Sequence, residues 1–181
     1  YNLASYSYNG TATGAMVIQT NVPQDDSTTA QIDINIYELD NAKAACTITV
    51  GGYWSTEGNG GFQSLGYTST CTTKYAVTIA RNNSTGKTAI ILANTSYGWF
   101  YPEVVVTRAS LGLSISDAYA DGWAISVTND ISGYVNTDSV SDKTLIGGLI
   151  QTSVSGTNYF NGGNVGIGTT SPLSLLDVNG T

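Results

Sequence analysis

In Gln31-Ile-Asp-Ile-Asn-Ile-Tyr37 three isoleucines alternate with Asp33, Asn35 and Tyr37, and a period of two is the spacing at which side chains leave an extended backbone on opposite sides. The segment is a strand with one dry face and one wet face. A slip of one residue would bury Asp33, so its pairing register is well specified. The same pattern returns along the chain: Cys46, Ile48 and Val50 share a face, as do Tyr75, Val77 and Ile79. Further strands are expected at 15–20, 44–50, 73–80, 88–93, 103–107, 123–127 and 145–151. Ala89-Ile-Ile-Leu92 and Val104-Val-Val106 are unbroken apolar runs, which suggests strands covered on both faces. Asn82-Asn-Ser-Thr-Gly86 reads as a hairpin turn whose Asn and Gly supply positive φ. Turn residues recur every ~8–15 positions, as in an all-β chain of short strands. The fold expected is all-β, a jelly-roll-like sandwich, and helix has little room.

The 181 residues are enough for one domain with its own core and a tail. Tyr1 opens the chain and the one methionine is Met16, so a piece of a longer protein is expected. Six basic residues stand against thirteen acidic ones, a net charge of −7, which leaves no basic footprint for nucleic acid. Histidine is absent, and with it the commonest general base and transition-metal ligand. No apolar run approaches membrane-spanning length, so no membrane partner is expected. No cofactor and no metal site is expected: two thiols lack a further soft ligand, and the loop pair Asp117 and Asp121 lacks EF-hand spacing. Cys46 and Cys71 lie in strand-like surroundings and either form a disulfide worth about 3 kcal/mol or stay buried thiols; both alternatives are open.

Carboxylates come in pairs, Asp25 with Asp26, Glu38 with Asp40, Asp117 with Asp121 and Asp138 with Asp142. A glycosidase would need two opposed across a cleft, whereas carboxylates in Asn/Ser/Gly-rich loops are commonly turn formers. No catalytic residue is assigned. Twelve tyrosines and three tryptophans are a better lead in so weakly charged a chain. Tyr53, Trp54, Tyr97, Trp99 and Tyr101 sit at strand ends or in loops beside small polar residues, a setting that suits stacking on sugar rings. Filling the sandwich core or a subunit interface is the commoner role for Trp54 and Trp99, and Trp123 is expected in the core. Asn-x-Ser/Thr triplets decide nothing in so Asn-rich a chain, and the paired glycines lack a nucleotide-binding context.

Three parts are expected: a β-sandwich head over 1–131, a polar connector with one strand over 132–162, and a terminal segment over 163–181. In the last, Val165 and Ile167 alternate with Gly166 and Gly168, Thr-Ser-Pro172 interrupts, residues 173–176 suit a short helical turn, and Asp-Val-Asn-Gly180 closes it. Val165, Ile167, Leu173, Leu176 and Val178 are too many apolar residues for so thin a segment to bury alone, so several copies around one axis are expected.

Residues 164–180 resemble the NVGIGTTSP…LDVNG segment that recurs in phage tail and head fibre proteins and related virion appendages. The middle of the chain is similar, more weakly, to the domain upstream of that segment in some phage fibres, through Gly52-Tyr-Trp54, Lys87-Thr-Ala-Ile-Ile-Leu92, Trp99-Phe-Tyr-Pro102, Val104-Val-Val106 and Gly122-Trp-Ala-Ile125 taken in order. The resemblance implies a homotrimeric virion fibre or spike protein, located on the particle surface, with other virion proteins as partners; with the aromatic lead, attachment to a host-surface glycan or protein is the expected role. An architectural decoration protein without a receptor, and a polysaccharide depolymerase, are the alternatives.

Overall fold

A computed structural model of the chain describes residues 2–24, 27–39, 45–54, 61–71, 75–113, 115–140, 165–167, 171 and 173–178. By internal contacts the chain divides into two units, Tyr1–Leu145 and Ile146–Thr181. The described residues of the first form twelve strands: β1 (Ala4–Ser7), β2 (Thr11–Thr13), β3 (Ala15–Pro23), β4 (Thr28–Tyr37), β5 (Cys46–Trp54), β6 (Phe62–Ser69), β7 (Val77–Asn82), β8 (Lys87–Leu92), β9 (Gly98–Phe100), β10 (Glu103–Leu113), β11 (Ala124–Thr128) and β12 (Tyr134–Ser139), with one 3₁₀ turn at Asp117–Ala120.

Two five-stranded antiparallel sheets form the sandwich, in the orders β1-β10-β4-β5-β6 and β11-β3-β8-β7-β12. The nested pairs β1 with β10 and β3 with β8 are the jelly-roll element. A meander β4-β5-β6 and a hairpin β7-β8 take the place of its inner pairs.

The alternation decides the core. Ile32, Ile34 and Ile36 of β4 are buried with Ile48 and Val50 of β5 against Met16, Ile18, Ile79, Ile90 and Leu92 of the second sheet. Each such side chain contributes about 1.5–3 kcal/mol by leaving water. The run 89–92 is buried throughout, because its alternate residues Ala89 and Ile91 join Ala15, Val17 and Ala80 in a second cluster on the far side of their sheet, with Ile131 and Tyr134 packed on it. The run 104–106 departs from the expectation of cover on both faces: Val104 and Val106 are buried, while Val105 faces the open side.

The hairpin at 82–86 forms by a different division of labour from the one expected. Gly86 has φ +70°, but neither Asn82 nor Asn83 has positive φ; Asn82 instead accepts hydrogen bonds at Oδ1 from the Ser84 amide and hydroxyl. The sandwich also runs past the boundary at 131. Tyr134 and Val135 pair with Asn82 and Arg81, and Val140 is buried, so the start of the expected connector is an edge strand.

In the second unit β13 (Val165–Ile167) and β14 (Leu176–Val178) form a parallel pair, with Val165 opposite Leu176 and Ile167 opposite Val178. Residues 173–175 bend rather than form a helical turn, and Leu176 is already in the strand. Local hydrogen bonds hold the bend: Asp177 Oδ2 accepts from the Leu173 amide at 2.9 Å, and Ser174 Oγ donates to the Leu176 carbonyl at 2.7 Å. The strand expected at 145–151 lies outside the described residues.

Candidate functional site

The five aromatic residues singled out from sequence separate into two groups. Trp54 and Trp99 are fully buried, which corrects their assignment to a sugar-stacking surface: no ring face is open to a ligand. Trp54 packs edge-on to Phe62 with centroids 6.2 Å apart. Trp99 lies flat against Tyr75 at 5.4 Å and meets Tyr97 edge-on at 4.7 Å. Trp123 is buried as expected, its Nε1 donating to the Tyr119 carbonyl. Tyr53 and Tyr97 are half-buried, and Tyr101 is exposed.

Tyr101 is not isolated. Seven large apolar or aromatic side chains are exposed among the described residues of the sandwich, between 42 % and 68 %: Tyr8, Tyr37, Leu39, Phe100, Tyr101, Leu113 and Ile115. Backbone pairing draws the first five to one end. Tyr37 is opposite Glu103, the Leu39 amide donates to the Phe100 carbonyl at 3.0 Å, the Tyr8 amide to Pro102 at 3.1 Å, and the Tyr101 amide to Gly10 at 2.8 Å. Three stretches far apart in sequence thus meet in one aromatic end. Tyr101 has φ +44°, a conformation rare for a bulky residue and held only where surroundings over-determine it.

Glu38 supplies much of that determination. It is 1 % exposed. Its Oε2 accepts from the Tyr75 hydroxyl at 2.7 Å and the Tyr97 hydroxyl at 3.1 Å, and its Oε1 from the Phe100 amide at 3.1 Å. A closed carboxyl group bonded in this way fixes the β9–β10 turn from beneath and is shut off from substrate. Burial, then its hydrogen bond to Glu38, pushes the Tyr75 hydroxyl well above its ordinary value of 10.0. A buried Glu38 differs from the loop carboxylate expected of its pairing with Asp40 in sequence. The overlooked signal was the alternation itself, which puts Glu38 on the face of Ile32, Ile34 and Ile36.

Beside the aromatic end an open trough of about 470 Å³ lies on the outer face of the first sheet, lined by Tyr37, Asn35, Thr47, Thr70, Glu103 and Val105 among others. Cys46 and Cys71 are joined as a disulfide, and the crosslink lies against this trough, where the Thr47 amide donates to Thr70 Oγ1 at 2.9 Å and Thr47 Oγ1 donates to Asn35 Oδ1 at 2.9 Å. Among the described residues no three His, Cys, Asp or Glu side chains gather as for a metal, and no helix is long and apolar enough to cross a membrane.

Of the residues expected at a subunit interface, Ile167, Leu173, Leu176 and Val178 are exposed, Leu173 to 94 %, and Val165 is half-buried. Leu175 is exposed with them. No protein-family model, curated protein or solved structure matches the chain.

Proposed function

We propose that this protein is a non-catalytic virion fibre or spike component that assembles as a homotrimer through 163–181 and presents the aromatic end of its sandwich to a host-surface glycan. The observation that carries the reading is the exposed apolar set on β13, β14 and the bend between them. Such residues leave water by packing against further chain, and identical copies around one axis are the simplest source. Three weak sites on one particle gain strength through effective concentration, so each aromatic end need bind only modestly.

Light scattering of the full chain and of a form lacking 163–181 tests the assembly. A trimeric mass that collapses to the monomer on truncation is the expected result, and an unchanged mass refutes the role of the segment. Binding to a host-glycan array tests the head, with loss of signal expected for Tyr101→Ala at unchanged trimer mass. The burial of Trp54 and Trp99 favours a second reading, an architectural decoration protein without a receptor, because it removes two of the five stacking candidates. That reading expects the same trimer and no glycan signal.

A further inference from the structure

The outer face of the first sheet carries more than the trough at the aromatic end. Two further depressions, of about 390 and 320 Å³, open on it; both include Gln31, and they are lined by Thr49, Gly51, Gly66 and Thr68 in one and Thr29, Ser110 and Gly112 in the other. Register puts all three depressions on one side. Tyr53 is opposite Thr29, Gly51 opposite Gln31, Thr49 opposite Asp33 and Thr47 opposite Asn35, each pair pointing away from the buried isoleucines. Tyr37 stands at one end of this face and Tyr53 at the other, eight residues of β4 apart by their partners, roughly 26 Å at about 3.3 Å per residue.

We infer that this face holds an extended, neutral oligosaccharide lying along β4 from Tyr37 to Tyr53, so that the aromatic end is one terminus of a longer site. The inference deepens the glycan reading above and rests on it. The lining between the two tyrosines is mostly hydroxyl and amide groups, which both donate and accept as sugar hydroxyls require, with the Asp33–Arg108 ion pair at its midpoint. Gly51 and Gly66 face each other across β5 and β6 and leave the floor without side chains, so a ligand approaches the backbone closely. Charge selects against a polyanion: Asp33 is paired with Arg108 at 2.8 Å, Glu103 lines the first trough, and the chain carries −7 overall.

The test is binding of the full chain to an array of neutral host glycans that includes a length series for each backbone, with Tyr53→Ala and the space-filling Gln31→Trp. Gln31 is exposed, so that variant keeps the core intact. Affinity that rises with chain length, with either substitution cutting affinity for the long members about threefold to tenfold and leaving the shortest unchanged, supports the inference. Length-independent binding that Tyr37→Ala or Tyr101→Ala removes, and that both outer-face substitutions spare, overturns it while the glycan reading stands. Absence of any neutral-glycan signal overturns the inference, and the glycan reading falls with it when charged host glycans are also unbound. A change of oligomeric mass in Gln31→Trp also overturns it, because the face is then a contact between copies.

Discussion

Two buried tryptophans differ in what the indole N–H meets. Trp99 Nε1 donates to the Gly14 carbonyl at 2.9 Å, whereas Trp54 Nε1 is buried with no acceptor among the described residues. An unpaired buried donor already carries its desolvation cost in the native state. Trp54→Phe is therefore expected to destabilise less than Trp99→Phe, which strands the Gly14 carbonyl, by about 1–2 kcal/mol in urea unfolding. Tyr75 gives a pH signature. Its hydroxyl holds its proton more tightly folded than unfolded, so its contribution is complete below pH ~10 and is lost as pH rises beyond that, where only the unfolded chain ionises. The melting temperature is expected to fall above pH ~10, and Tyr75→Phe to flatten that fall. Parity explains which of these residues were legible. Trp54 continues the inward series of Cys46, Ile48 and Val50, and Tyr53 points outward for the same reason. Trp99 and Tyr101 share parity yet face opposite ways, because the positive φ at Tyr101 breaks the alternation, and no residue type announces that break.

Strands were legible wherever the alternation ran unbroken and were cut short where the backbone slipped. β10 was expected to end at Thr107 but continues to Leu113. A register shift between Val106 and Arg108 swaps the faces, so Ala109 and Leu111 take up the inward role on odd positions. The disulfide could not be read from spacing, because it depends on β5 and β6 lying side by side. It closes 25 residues, and Cys46→Ser with Cys71→Ser is expected to cost about 3 kcal/mol in the chain-entropy picture. Thermal unfolding with and without reductant checks this: wild type should lose stability on reduction, and the double variant should not respond. At Gly14 the backbone φ is +146° and a Cβ would stand 2.5 Å from the Thr128 carbonyl oxygen. Gly14→Ala is expected to lower the melting temperature more than Gly133→Ala, where nothing lies within 4 Å of the added carbon.

At the scale of the whole molecule, the sandwich was legible because burial in a two-sheet fold is written as period two. The aromatic end was not, since it is assembled from backbone pairings that span the chain. Ala4 lies opposite Val106, and Tyr8, Leu39 and Phe100 come together only through such closures. The terminal segment was legible in its apolar excess and misread in its bend, where two side-chain hydrogen bonds replaced a helical turn. Long-range pairing of this kind is slow to form, because loop-closure entropy precedes any reward. The first strand must wait for the tenth before Tyr8 has a place to stand. A copy halted midway through folding therefore has no aromatic end at all, so that any probe of this surface reports whether the chain has closed from its first strand to its tenth.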